Sequence, residues 1–281
     1  SDDKKASFAR FNATATSTDV IIEAIRRDGG VIVENLITRD AAGQIKQDLK
    51  PHFDKDIPDK YGLFPPTTQR ATGLLGISDA CVDLACNPTY ISVANALASS
   101  SYSFWRGDHK VTVSGKPIIS STAGFRVTPG SKQQVLHRDD KYDSSDYHPH
   151  DAQLPVMIGC VTALTKTTKE NGATVAIPGS HLWGSERQPL DEEAVPAELE
   201  PGDAFIFLGN LYHAGGANVT ENDYRETVGI FLCKPTLRPA ENQFLVVPKE
   251  RVKSMKPQAQ RLLGYGVCEP GVGFMHYQDP M

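Results

Sequence analysis

The chain has 281 residues, 40% of them hydrophobic, and a formal net charge of −5. The apolar content is enough for a sizeable core, while the acid excess excludes the basic stripe of a nucleic-acid binder. Five scattered cysteines without a CxxC pair point to reduced thiols and a cytoplasmic setting. No apolar run reaches the length that crosses a bilayer. The polar opening "SDDKKASFARFNATATSTD" lacks the apolar core of a secretory signal, so no membrane partner is expected.

In chain order, "STDVIIEAIRRDGG" predicts a helix. Ser17, Thr18 and Asp19 offer N-caps, Ile21, Ile22 and Ile25 share a face, and Gly29 with Gly30 stops it. "VIVENLI" reads as a strand, "RDAAGQIKQDLKPHF" as a second helix ending near Pro51, and "NPTYISVANALASS" as a third helix. The part up to about residue 105 is therefore helix-rich. From Lys110 the texture changes to short strand-like runs: "KVTVSG", "PIISSTAGFRV", "QQVLH", "PVMIGCVTAL", "ATVAIPG", "DAFIFLG", "ETVGIFLC" and "QFLVV". Gly, Pro, Asn and Asp separate them, a pattern that suggests a sandwich or barrel. "PKERVKSMKPQAQRLLGYG" reads as two short helices broken at Pro257. With no repeat or linker, the expectation is one domain over residues 1–281, mainly β with flanking helices. Its expected parts are a helix-rich 1–105, a β core at 106–250, and helices and a tail at 251–281.

The chemistry starts at "VLHRDD". In an extended strand alternate side chains share a face, so His137 and Asp139 point one way and Arg138 and Asp140 the other. Later, "LYHAGGAN" places His213 just past an apolar strand, in a Gly-rich turn. Two imidazoles and one carboxylate occupy one face of an octahedral metal and leave open positions, which suits non-haem Fe(II) oxygenases. Twelve residues past His213, Arg225 opens another strand. Its guanidinium fork would hold the far carboxylate of a metal-chelating 2-oxo acid. Each element alone has a blander explanation: a surface HxD, a turn histidine, a solvated edge arginine. Their order and spacing favour the joint reading. His148 and His150 lie in a Pro-containing segment that reads as a surface loop, and His181 as a structural hydrogen-bonder. If Arg225 points inward, alternation sends Thr227, Gly229 and Phe231 the same way.

"QQVLHRDD", "ENGATVAIPGSHLWG", "EPGDAFIFLGNLYHAGGAN" and "YRETVGIFL" resemble the phytanoyl-CoA dioxygenase-like branch of the Fe(II)/2-oxoglutarate oxygenases. They are most similar to fungal members that tailor meroterpenoids and indole alkaloids. The resemblance implies a double-stranded β-helix (jelly roll) with iron on His137, Asp139 and His213. It places 2-oxoglutarate on Arg225, Gln134, Thr174 and Arg70, and a pocket-facing substrate contact at Met157, with Phe231 as its partner. It implies an enzyme that uses O2 and 2-oxoglutarate to abstract hydrogen from a bulky apolar metabolite, meroterpenoid-like. Hydroxylation, desaturation, rearrangement or peroxidation would follow. It is also compatible with a homodimer. The alternatives are a hydroxylase of an acyl-CoA or small polar metabolite, a metal hydrolase, and a non-catalytic binding protein of the same fold.

Overall fold

The computed structural model describes residues 7–56, 60, 62, 64–140 and 155–281. The first helix, α1 (Thr18–Asp28), starts after Ser17 and stops at Gly29, whose φ of 81° suits glycine. A side chain there would also run into His181, since a Cβ would lie 2.5 Å from its Nδ1. The second, α2 (Arg39–Phe53), is capped by the Thr38 hydroxyl and runs on past Pro51, which has no N–H to donate to the carbonyl of Gln47, so the helix ends within two residues. Three more helices follow: α3 (Leu74–Ile77), α4 (Asp79–Ala85) and α5 (Pro88–Ala98).

The larger sheet holds seven strands. β1 (Arg10–Asn12), β2 (Gly30–Glu34) and β3 (Thr68–Thr72) come from the N-terminal part. β4 (Ser100–Arg106) and β5 (His109–Gly115) form a separate hairpin. The larger sheet continues with β6 (Ile118–Val127) and β7 (Met157–Ala163). After β8 (Thr174–Ala176) and β9 (Val195–Pro196) come β10 (Ala204–Leu208), β11 (His213–Gly215) and β12 (Arg225–Cys233). The strand order is β1-β2-β10-β7-β12-β6-β3, antiparallel except for β1 against β2. The smaller sheet is β11-β8-β9. Two antiparallel sheets packed on a shared apolar layer form the expected jelly roll.

Alternation divides the core. Ile158, Cys160, Ile206, Val228 and Ile230 face outward against Ile21, Ile25, Leu49 and Leu97 of the helices. Val161, Ala163, Phe205 and Phe207 face inward, against Ala176 of the smaller sheet. The buried Tyr90 hydroxyl shares its one hydrogen between the carbonyls of Ile230 (2.8 Å) and Ile158 (3.1 Å), pinning α5 to the sheet.

Three expectations change. The N-terminal part supplies three strands of the larger sheet, so the β core does not begin near residue 106. "QQVLH" forms one isolated bridge at His137 rather than a full strand. "QFLVV" is not a strand: Gln243–Val246 makes the one-turn helix α6, leaving Phe244 and Leu245 exposed. A short apolar run carries no period that separates the two states. The last helices, α7 (Lys249–Lys253) and α8 (Pro257–Leu262), are the expected pair, with Pro257 opening the second. Among the described residues no helix is long and apolar enough to cross a membrane.

Candidate active site

The segment before Asp139 lies alongside β11. Gln134 N–H donates to Gly215 O (2.9 Å), and His137 and His213 exchange both backbone bonds at 3.0 Å. That pairing sets the two histidines directly opposite each other on one face, their ring centroids 4.5 Å apart. Asp139 Oδ1 lies 3.7 Å from His137 Nε2, and its Oδ2 lies 3.6 Å from His213 Nε2. One ligand atom from each of the three lies within 4.8 Å of the others.

The rings are oriented from behind. His137 Nδ1 is 2.9 Å from Val135 O and His213 Nδ1 is 3.0 Å from Leu211 O. A carbonyl can only accept, so each Nδ1 carries the hydrogen and each Nε2 presents a lone pair. Those lone pairs face carboxylate oxygens at a separation too long for hydrogen bonds. Acceptors that converge without a proton between them fit a cation, and the N,N,O set fits Fe(II).

Arg225 opens β12 and points into the barrel, 3% exposed. Its Nε donates to Gly172 O and its Nη1 to Thr227 Oγ1, both at 2.9 Å. Burial pushes its pKa down to about 10, with no nearby carboxylate to counter it among the described residues. A buried, uncompensated guanidinium still charged at neutral pH is a site for an anion. Gln134 and Thr174 line the same pocket. Gln134 Oε1 accepts from Gly215 N–H (2.8 Å), which fixes the orientation of the amide. Thr174 begins β8 opposite Gly215. Glycine is required at position 172, where φ is 95° and a Cβ would lie 2.8 Å from Gly216 O.

The apolar part of the pocket is formed by Phe64, Phe125, Val161, Phe207 and Phe231. Phe231 folds back over two glycines: a Cβ at Gly229 or Gly159 would meet its ring at 2.6 or 3.1 Å. Met157 shares an inner-face parity with Val161 but lies outside the pocket lining, packed where a Cβ of Gly209 would sit. Arg70 shares a face of β3 with Thr68, which lines the pocket, but its guanidinium turns to Asp56. Nε and Nη2 bond the carboxylate at 3.1 and 3.3 Å, and the group stacks over Phe64 at 5.2 Å. The geometry thus brings Arg225, Gln134 and Thr174 together with the triad and leaves Arg70 and Met157 outside the lining. His181 is buried and its Nε2 lies 3.0 Å from Arg26 O. His148 and His150 lie outside the described residues.

Sequence reasoning missed Phe207, Phe125 and Phe64. Phe207 was open to the alternation argument, since it and Phe205 share the inward face of β10. Phe125 follows only from its register opposite Thr227. Phe64 precedes β3 in irregular chain and gives no periodic signal.

Comparison with known proteins agrees with this geometry. The family described as Phytanoyl-CoA dioxygenase (PhyH) matches residues 25–227, which include the triad and Arg225. Dioxygenase swnH1 of Arthroderma benhamiae is 34% identical over 279 residues, covering 98% of this chain and 91% of its own length. Dioxygenase peniF of Penicillium patulum is also 34% identical, covering 96% and 90%. Among solved structures, the non-heme alpha-ketoglutarate-dependent carbocyclase SnoK from nogalamycin biosynthesis shares the fold, with a TM-score of 0.59 at 16% identity. It covers 83% of this chain and 90% of that one. The epimerase SnoN, solved with Fe3+, alpha-ketoglutarate and nogalamycin RO, does so with a TM-score of 0.57 at 18% identity, covering 81% and 88%. The chain belongs to the phytanoyl-CoA dioxygenase family and is an iron- and 2-oxoglutarate-dependent dioxygenase.

Proposed function

We propose that this dioxygenase oxidises a C–H bond of a bulky, mainly apolar secondary metabolite of the meroterpenoid type. The observation that carries the reading is the wall of Phe64, Phe125, Phe207 and Phe231 in the same pocket as the triad. Aromatic walls with a few fixed polar groups suit large apolar ligands. Among the described residues that line the pocket, Lys132 and Arg225 are the lysine and arginine, too few for the phosphates of an acyl-CoA.

In this reading His137, Asp139 and His213 hold Fe(II). The bound metal supplies the O2-driven decarboxylation of 2-oxoglutarate to succinate and CO2 and the oxidising power to break a C–H bond. Arg225 neutralises the distal carboxylate of the cosubstrate, while the Thr174 hydroxyl and the Gln134 amide donate to it. The phenylalanines exclude water and fix which C–H bond lies nearest the metal. That orientation selects among hydroxylation, desaturation, rearrangement and peroxidation. The family reading extends to a homodimer, which light scattering of the purified chain tests.

The test is a substrate panel. Polycyclic terpenoid-like compounds, acyl-CoA thioesters and small polar acids are each added to enzyme, Fe(II), 2-oxoglutarate and O2, and substrate-dependent succinate is measured. Stimulation by the apolar polycycles alone is expected. Stimulation confined to acyl-CoA or polar acids contradicts the proposal.

A further inference from the structure

Arg138 stands between two of the metal ligands in sequence, yet its side chain leaves the pocket. Its Nη2 donates to Ser180 O (2.8 Å) and Trp183 O (2.9 Å), gripping both ends of the 3-10 turn Ser180–Leu182. Its guanidinium carbon lies 4.3 Å from the ring centre of Tyr212, the residue before His213. The same turn holds the other arm of the site. Tyr212 N–H donates to Ser180 Oγ (2.9 Å), and Asn210 Nδ2 donates to His181 O (3.2 Å). The turn is itself fixed to the end of α1, with His181 Nε2 at 3.0 Å from Arg26 O and Gly179 N–H donating to Asp28 O (2.8 Å).

Backbone pairing does not fix the aim of Asp139 by itself. The segment meets β11 at the isolated bridge of His137 with His213, one residue out of step with the bond from Gln134 N–H to Gly215 O, and beyond His137 the ladder ends. The N–H groups of Asp139 and Asp140 then share one acceptor, Gly209 O, at 2.8 and 3.3 Å. Something else must hold this stretch against the strand that carries His213. A planar guanidinium bonded to two carbonyls and stacked on a ring restrains position and direction together.

We propose that Arg138 is a positioning residue for the metal: it braces the His137–Asp139 segment against the His213 strand through the Ser180–Trp183 turn and so sets the aim of the Asp139 carboxylate. The proposal rests on the triad as the metal site. Groups that orient metal ligands from behind change metal affinity roughly 10–100-fold when removed.

Co(II) serves as the probe, because its affinity and visible ligand-field bands are read without turnover. Wild type, Arg138→Met, Arg138→Lys and Tyr212→Leu are titrated with Co(II), and the metal-free proteins are melted alongside. Arg138→Met is expected to bind Co(II) roughly 10–100-fold more weakly, with altered bands and a metal-free melting temperature close to wild type. Arg138→Lys, a point charge without the fork, should fall between. A folded Arg138→Met with wild-type Co(II) affinity and bands overturns the proposal. Should Arg138→Met not fold, weakened Co(II) binding by Arg138→Lys or Tyr212→Leu at unchanged melting supports it, and unweakened binding by both overturns it. Failure of wild type itself to bind Co(II) strikes instead at the triad and removes the ground for the proposal.

Discussion

Replacing Arg225 by Met separates the cost of this residue to the fold from its use to the cosubstrate. Methionine keeps much of the stem and deletes the charge. Burial pushes the Arg225 pKa more than two units below the ordinary arginine value, down to about 10. At about 1.36 kcal/mol per unit, the buried charge costs the fold about 3 kcal/mol. The sign follows from linkage: the folded state releases the proton more easily, so the cost is complete below pH 10 and is relieved only as pH rises through 10 toward the ordinary arginine range. Against this, the variant loses the bonds to Gly172 O and Thr227 Oγ1, worth roughly 1.5 kcal/mol each for a charged donor. The two effects nearly cancel. The melting temperature of the ligand-free protein should therefore shift by no more than about 2–4 °C at neutral pH. Cosubstrate binding has no such compensation. Loss of a bidentate charge-assisted bond, about 1.5–3 kcal/mol, should weaken 2-oxoglutarate roughly 10–150-fold. The assay is thermal melting with Mn(II) as a non-turnover metal, with and without 2-oxoglutarate. At a concentration of about 100 times the wild-type Kd, the ligand stabilises wild type by about 2.7 kcal/mol and Arg225→Met by less than about 1.5 kcal/mol. Equal ligand-induced stabilisation of the two proteins, or collapse of the ligand-free variant, refutes the reasoning.

Other consequences are smaller in scope. Phe231→Ala opens the pocket wall, and since the ring is only half-buried it should cost roughly 1–2 kcal/mol, below the ~3–5 of a fully buried Phe. Its main effect should be an altered product ratio; an unchanged ratio with a large loss of melting temperature would return Phe231 to the core. Gly172→Ala forces a side chain into a φ of 95° and onto Gly216 O. It should cost about 1–3 kcal/mol and weaken 2-oxoglutarate, because Gly172 O anchors Arg225 Nε; a variant as stable and as tight as wild type counts against that anchor. His181 has its pKa lowered by desolvation, so the stability it contributes is complete above pH ~6.5 and lost as pH falls toward its folded value. Urea titrations at pH 7.5 and 5.5 should show a smaller acid loss in His181→Asn than in wild type, and an equal loss excludes the assignment.

How legible this molecule is from its sequence depends on the range of the interaction. Ile21, Ile22 and Ile25 with Gly29 declare α1 because cap, face and stop are local. His137 and Asp139 declare a shared face because strand alternation is local, and the bridge to His213 then completes the cluster. Arg225 and Phe231 share the pocket for the same reason. What a local pattern does not carry is non-local. Arg70 carries the right chemistry, but Asp56, fourteen residues earlier, takes its guanidinium. Met157 has the right parity, but its place at the very start of β7 sets it beyond the pocket lining. Phe125 enters the site only through the register of β6 with β12, which no local pattern encodes. The three-residue β1 is too short to show a period and becomes a strand by pairing with β2.

The central claim is that one Fe(II) sits on His137, Asp139 and His213 beside a 2-oxoglutarate whose far carboxylate lies on Arg225. The most direct measurement is anaerobic titration of the purified chain with Fe(II) and then 2-oxoglutarate, following visible absorption. Wild type should develop a weak metal-to-ligand charge-transfer band that saturates at one iron per chain. His213→Ala should develop none, and Arg225→Met should require roughly 10–150-fold more 2-oxoglutarate to reach the same band. A wild type without the band, or a His137→Ala, His213→Ala double variant that retains it, contradicts the account.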